Sequence, residues 1–178
     1  IESILSNANY HLAISIMSDS DLKQLNFPQT ISDSSIKGII LVEICDKVVC
    51  DALSQFNLPI VSVDMPNVPF EELNGIDVVT MESKKNLKKI INQLIEKGAE
   101  SFGFVGDLYS PNVSRGFQER YNALSECLAE HQLPLNQKNC LLHQTPEDFR
   151  NFQTTVNNLQ AMISLPDVFI CGNDWTAI

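Results

Sequence analysis

Short runs of consecutive apolar residues alternate with longer segments of helical periodicity along nearly the whole chain of 178 residues. The runs lie at residues 12–17, 38–42, 60–63, 76–81, 102–105 and 168–171, and a further short strand is predicted at 139–143. Because the residues within a run do not alternate in polarity, the runs are typical of parallel strands covered on both faces. Their alternation with helices predicts an α/β fold built from βαβ units.

Three segments have the periodicity of amphipathic helices, at residues 84–97, 114–131 and 146–164. The first is the clearest, because Leu87, Ile91 and Leu94 recur at helical spacing and Gly98 follows where a helix C-cap is expected. The stretch 65–75, which contains two prolines, is the predicted connection between two lobes.

Charge and composition exclude several classes of protein. With 12 basic against 22 acidic residues the formal net charge is −10, so these residues alone are poorly suited to gripping a phosphate backbone. No apolar run approaches the ~20 residues of a membrane span, and the first residues lack the features of a secretory signal. Five cysteines cannot complete a disulfide framework, so we expect a reducing, cytoplasmic location and no membrane partner.

One spacing resembles a zinc site, in which Cys127 and His131 are followed by Cys140 and His143. However, Cys127 falls on the apolar stripe of a predicted helix, and no compact CxxC knuckle is present. We therefore interpret these residues as buried thiols and surface histidines, and predict neither a metal nor a cofactor. No nucleophile elbow, HExxH motif or phosphate-binding glycine loop occurs in the sequence.

Six of the predicted strands end at an acidic or amide side chain. These residues are Asp19, Glu43, Asp64, Glu82, Asp107 and Asn173. Ligands of open parallel sheets bind beyond the carboxyl ends of the strands, and a rim of acceptors with few cations suits a neutral polyhydroxyl ligand better than a phosphate. The alternative for each residue is an ordinary helix N-cap.

Several segments, taken in order, resemble the effector-binding core of LacI/GalR-type transcriptional regulators. They are IKGIIL at 36–41, LPIVSVD at 58–64, LIEKG at 94–98, FGFVG at 102–106, RYNALSECL at 120–128 and FICGNDWTA at 169–177. This resemblance implies a periplasmic-binding-protein-like type I fold with two Rossmann-like lobes and a cleft between them. The first lobe would cover residues 1–82 and the second residues 83–178, each of them incomplete.

The resemblance also implies roles for individual residues. Arg120 falls at the position of an arginine that donates to effector oxygens, a role suited to its planar fork. Asp64 and Asn173 fall at positions that bind effector oxygens, Met81 where a side chain flanks the ligand, and His143 near a further cleft wall. The alternative for Arg120 is a surface arginine paired with a nearby glutamate.

The function implied is that of a ligand-sensing domain. A small effector, with a sugar as the first choice and a nucleobase as the second, would bind between the lobes and control operator DNA through a headpiece outside this segment, in a homodimer. The alternatives are the sugar-binding protein of a transporter and, from a different class, a Rossmann-like enzyme acting on a sugar or nucleoside. We also expect this chain to be an interior fragment that lacks the family's opening strand.

Overall fold

The strands form two parallel sheets of three strands each. The computed structural model describes residues 1–108, 114–143 and 152–177. The first sheet has the order β1 (Ile39–Val42), β2 (Ile60–Val63) and β3 (Ile76–Val79). The second contains β4 (Phe102–Asp107), β5 (Leu141–His143) and β6 (Val168–Cys171), with β4 in the centre. Every neighbouring pair is parallel, which confirms the predicted α/β fold.

The described part of the chain contains six α-helices, two before β1 and four between successive strands. They are α1 (Glu2–Asn7), α2 (Asp19–Gln24), α3 (Lys47–Ser54), α4 (Lys84–Glu96), α5 (Arg115–Glu130) and α6 (Phe152–Gln160). The bounds of α4 and α5 agree with the prediction to within one residue. The helix predicted at 146–164 is shorter at its end, since α6 stops at Gln160, and residues 146–151 lie outside the described residues. Within the described ranges, no helix combines the length and apolarity needed to cross a membrane.

The second sheet is covered by α4 and α5, which pack side by side. All six residues of β4 are buried, and Phe102 and Phe104 pack with Ile91 of α4 and Leu124 of α5. Three ion pairs join the exposed edges of the two helices: Lys84 with Glu126, and Lys88 with both Glu126 and Glu130. The prediction that the strands are covered on both faces therefore holds for β4.

The first sheet has one covered face. Leu41, Ile60 and Ile76 form a core with the apolar side of α3. The opposite face is exposed, since Val42 and Val79 are more than half accessible to solvent. Coverage on both faces was therefore wrongly predicted for this sheet, because an apolar run does not itself determine how many layers pack against it.

The strand predicted at residues 12–17 does not form. This segment is irregular, and Ile14 and Ile16 are 81% and 95% exposed. A strand requires a neighbouring edge that receives its N–H and C=O groups. Among the described residues, the pairing order β1-β2-β3 includes no strand from this segment. The predicted strand at 76–81 also ends early, at Val79.

Hydrogen bonds to the Asp167 carboxylate link the residues just before β4 to the residue just before β6. Asp167 Oδ2 accepts hydrogen bonds from the Ser101 hydroxyl at 2.8 Å and from the backbone N–H groups of Glu100 and Ser101 at 3.0 and 2.9 Å. Its own backbone N–H donates to Ser101 Oγ at 2.9 Å. The hydroxyl and the two N–H groups hold the pKa of Asp167 below its ordinary value of 3.8.

We predict that Asp167→Ala lowers stability at neutral pH and much less near pH 3. A folded-state pKa below the unfolded value contributes stability that is present above about pH 4 and disappears as the pH falls through the folded pKa. Urea midpoints of the parent and the variant should therefore differ at pH 7 and converge toward pH 3. Asp77→Ala, which removes an exposed carboxylate on β3, is the control and should change little at either pH. A difference for Asp167→Ala that is the same at both pH values would contradict the prediction.

Candidate functional site

Asp64 lies directly after β2 in a left-handed backbone conformation, with φ at +73°. Its backbone N–H donates to Val79 O, and its carbonyl oxygen accepts from the Ser62 hydroxyl at 2.7 Å. Its carboxylate accepts from Met65 N at 2.7 Å through Oδ1 and from Ser114 Oγ at 2.5 Å through Oδ2. The carboxylate therefore does not cap an α-helix, and it points from the first sheet toward the start of α5.

The start of α5 is attached to the segment that follows β2. Arg115 N donates to Met65 O, and Arg115 Nη1 donates to Val68 O, each at 3.0 Å. Its guanidinium also pairs with Glu119 at 2.8 Å and lies 4.4 Å from the centre of the Phe70 ring. Together with the Ser114–Asp64 hydrogen bond, these contacts link the loop after β2 to a helix of the second sheet.

Arg120 lies one helical turn further along α5 and reaches the end of β6. Its Nη1 donates to the Gly172 carbonyl oxygen at 2.8 Å, and the side chain is half-buried. Phe117 packs against the backbone of Gly106 and Gly172, where a Cβ on Gly172 would lie 2.3 Å from the ring. The partner of Arg120 is therefore a strand-end carbonyl, and the nearby Glu119 pairs with Arg115 instead.

Asn173 follows Gly172 and shapes the turn after β6. Its Oδ1 accepts from Thr176 N at 2.9 Å, which is the capping role set out as the alternative for strand-end residues. Glu82 has the same role, because its carboxylate accepts from the backbone N–H groups of Lys85 and Asn86 at the start of α4.

The other two predicted site residues, Met81 and His143, are not held in place by described side-chain contacts. Met81 lies two residues beyond β3 and is 75% exposed, without a packed wall around it. His143 is the last residue of β5 and stands in register with Asp107, while its side chain lies outside the described residues. The structure thus brings Arg120 beside Gly172 and Asn173 and brings Asp64 to Ser114. The ligand-binding roles of these residues, like those of Met81 and His143, stay predictions.

The zinc-like spacing has another explanation. Cys127 Sγ and His131 Nε2 both contact Asn92 Oδ1, at 3.2 and 2.7 Å, in the interface between α4 and α5. Cys140 Sγ contacts Asn136 O. Among the residues that the structure describes, no group of three potential ligands is arranged to hold a metal ion.

A half-buried thiol, that of Cys45, lies near the Asp64 carboxylate. Burial, aided by the negative charge of Asp64, raises the pKa of the Cys45 thiol to about 12. Cys45 is therefore protonated at neutral pH and has the character of a small apolar side chain rather than a nucleophile. The chemistry available at the ends of the strands is hydrogen bonding, with a carboxylate acceptor at Asp64 and guanidinium donors at Arg120.

Sequence reasoning missed Ser114 and Arg115. Both begin α5, and the sequence signal for Ser114 was its place at the start of a predicted helix, where serine is a common N-cap. Its hydroxyl does accept from Gly116 N at 3.1 Å. Its second bond reaches a residue fifty positions earlier, which helical periodicity does not encode.

Comparison with known proteins identifies a common fold. No protein-family model matches the chain. Catabolite control protein A from Staphylococcus xylosus is 28% identical over 183 residues, and the match covers all of this chain and 51% of that protein. The crystal structure of the transcription regulator CcpA of Lactococcus lactis superposes with a TM-score of 0.75 at 14% identity, over 98% of this chain and 61% of that one.

A second solved structure was obtained with a sugar. The LacI family transcriptional regulator from Lactobacillus casei with bound glucose has a TM-score of 0.69 at 18% identity, covering 99% of this chain and 64% of that chain. The chain spans about half the length of the curated relatives it matches. The predicted resemblance is confirmed: the chain has the α/β fold of LacI-family regulators and is similar in sequence to catabolite control protein A.

Proposed function

We propose that the chain is the effector-binding part of a LacI-type transcriptional regulator and that it binds a small neutral ligand, a sugar in the first place. The observation that carries the proposal is the double attachment of α5. Ser114 holds the carboxylate at the end of β2, and Arg120 holds the carbonyl at the end of β6. Donors and acceptors from both sheets thereby converge on one helix at the carboxyl ends of the strands, where ligands of α/β sheets bind.

In this proposal residues 1–82 and 83–178 are two lobes with the ligand between them. A ligand hydroxyl that donates to Asp64 replaces the Ser114 hydroxyl, and an oxygen that accepts from Arg120 replaces the Gly172 carbonyl. The exchange at Asp64 removes a contact between the lobes, so a bound ligand favours a different arrangement of the lobes, whereas the exchange at Arg120 lies within the second lobe. The shift is limited to the difference in affinity for the two arrangements, typically about 1–3 kcal/mol of coupling. Asn173, Met81 and His143 complete the proposed site.

The partners follow from the same proposal. Operator DNA would be bound by a headpiece outside this segment, because a net charge of −10 does not suit these residues to a phosphate backbone. The assembly would be a homodimer in the cytoplasm, in keeping with five free thiols among the described residues. The relatives named above are regulators rather than enzymes, which supports a sensor without catalytic activity.

Two other functions are distinguishable from this one. A transporter's sugar-binding protein would carry a signal peptide in its gene, whereas a regulator would carry a basic helix-turn-helix segment. An enzyme on this fold would convert a sugar or nucleoside that it binds. Turnover of a bound monosaccharide by the purified chain would therefore replace the sensor proposal with the enzyme alternative.

Arg120→Ala should abolish most of the sugar affinity at this site. Hydrogen bonds from a charged group contribute about 1.5–3 kcal/mol each, so the loss corresponds to a Kd roughly 10- to 100-fold weaker. Isothermal titration with neutral monosaccharides, beginning with D-glucose, measures the change. Circular dichroism of the ligand-free variant establishes that it is folded.

Lys89→Ala is the matched control, because it removes an exposed cation from α4 and should leave the Kd unchanged. Arg120→Lys keeps the charge but not the planar fork, and we expect a Kd between those of the parent and the alanine variant. If a monosaccharide that binds the parent binds Arg120→Ala equally well, Arg120 is not part of the effector site.

A further inference from the structure

An open cavity of about 470 Å³, with polar and apolar groups in its lining, lies on the side of α5 that faces away from Arg120. One wall comes from the segment after β2 and includes Asn67, Phe70 and Glu71, and the other is the α5 face with Arg115, Gln118 and Asn122. Its volume is within the ~300–1,000 Å³ typical of small-ligand sites, and it lies where the two sheets are joined, which is a preferred location for such sites.

The cavity is separate from the proposed effector site. At 3.6 residues per turn, Arg120 is rotated by about 140–160° around the helix axis from Arg115, Gln118 and Asn122. Arg120 points to the end of β6, whereas the cavity residues point to the loop after β2. A molecule in the cavity and a molecule at Arg120 would therefore contact opposite sides of the same helix.

The cation in the cavity is already neutralised. Arg115 pairs with Glu119 at 2.8 Å, donates to Val68 O at 3.0 Å and stacks on Phe70. With Glu71 also in the wall, two carboxylates face one guanidinium, so the lining carries a net negative charge. Such a lining repels phosphate and other anions.

The remaining groups suit a neutral molecule with hydroxyl groups on one side and C–H groups on the other. The Phe70 ring is 48% exposed and offers an apolar surface beside Pro69. Gln118 Nε2 donates to Asn122 Oδ1 at 2.9 Å, which turns the Gln118 oxygen and the Asn122 nitrogen toward other partners. Amides and a carboxylate beside an aromatic ring provide both donors and acceptors for a ring of hydroxyls.

We propose that this cavity is a second binding site for a neutral monosaccharide, distinct in location from the effector site at Arg120. The sugar's C–H face packs on Phe70, and its hydroxyls bond to Glu71, Gln118 and Asn122. Since the cavity walls are held together by the Arg115 contacts, the sugar stabilises the attachment of α5 to the loop after β2. Neither site needs the other in order to bind a sugar. An experiment can therefore disprove one proposal and leave the other standing.

The test uses the 178-residue chain with D-glucose, D-galactose, D-mannose and D-ribose, and D-glucose 6-phosphate as the anionic comparison. Saturation-transfer NMR is recorded on Arg120→Ala, in which binding at the proposed effector site is expected to be roughly 10- to 100-fold weaker. We expect saturable binding of at least one neutral sugar and at least tenfold weaker binding of the phosphorylated sugar. Adding Phe70→Ala to Arg120→Ala should weaken the remaining binding at least tenfold.

Asn122→Ala in the Arg120→Ala background serves as a second variant, because Asn122 is exposed and its truncation leaves the Phe70 stack in place. It should also weaken binding. The proposal is wrong if Arg120→Ala binds none of the four sugars, if the phosphorylated sugar binds as tightly, or if neither second substitution weakens binding. If all sugar binding by the parent chain depends on Phe70 and none of it depends on Arg120, the second site is supported and the proposed effector site is contradicted.

Discussion

Gly103→Ala is expected to destabilise the chain by about 3 kcal/mol or more, at the upper end of what one added methyl group costs in a packed core. A Cβ at this position would lie 2.1 Å from the Asn139 carbonyl oxygen and 2.8 Å from the Phe169 ring. The first obstacle is backbone, so it is not relieved by a side-chain rotation. Gly103 lies in β4, the buried central strand of the second sheet, and a displacement there disturbs the pairing with both β5 and β6.

Gly116→Ala makes the same chemical change in a different setting and is the control. The nearest atoms to its Cβ are the Arg120 Nη1 and the Ser114 Oγ, each at 3.3 Å, and both belong to side chains that are able to shift. The change also gains helix propensity, up to about 1 kcal/mol. Urea denaturation should place Gly116→Ala within about 1 kcal/mol of the parent. A Gly103→Ala variant as stable as this control would refute the packing at Asn139.

Phe104→Ala should lower the free energy of unfolding by about 3–5 kcal/mol, the cost of truncating a fully buried phenylalanine. The Phe104 ring is inaccessible to solvent and lies edge-on to Tyr121, with ring centres 5.3 Å apart. It packs in the core formed by β4, α4 and α5. Its removal leaves a cavity between the sheet and α5, and thermal unfolding measured by circular dichroism reports the loss.

Phe70→Ala is the matched truncation at a half-exposed site. Because roughly half of its ring is already in water, we expect a loss below about 1.5 kcal/mol. Phe104→Leu, which refills much of the space, should fall between the two alanine variants. Equal losses for Phe104→Ala and Phe70→Ala would show that Phe104 does not form the centre of this core.

The strand and helix prediction succeeded where a segment's own pattern determines its structure. The runs at 60–63 and 168–171 coincide with β2 and β6, and the periodic segments coincide with α4 and α5. It failed for residues 12–17, which have the same apolar character but no described neighbouring edge. A strand forms only when a second segment accepts and donates its backbone hydrogen bonds, and the composition of one segment does not show whether such a partner exists.

The positions of the candidate site residues were predictable in part, while their ligand-binding roles stay predictions. The resemblance pointed to Arg120 and Asp64, and both lie at the strand ends where ligands of such sheets bind. Ser114 and Arg115 were missed because their partners, Asp64 and Val68, are separated from them by about fifty residues. Short sequence motifs do not identify such distant pairs. The charge balance indicates only that an arginine will form an ion pair with some carboxylate, not with which one.

The left-handed backbone at Asp64 limits the residue types that this position accommodates. A φ of +73° is readily adopted by glycine, asparagine and aspartate, and it is costly for β-branched or bulky side chains. This corner therefore favours a carboxylate, an amide or no side chain. In proteins with this fold, a substitution at this position would change whether the side chain donates or accepts hydrogen bonds to a ligand. A large apolar side chain that recognises a different ligand shape would have to come from a neighbouring position.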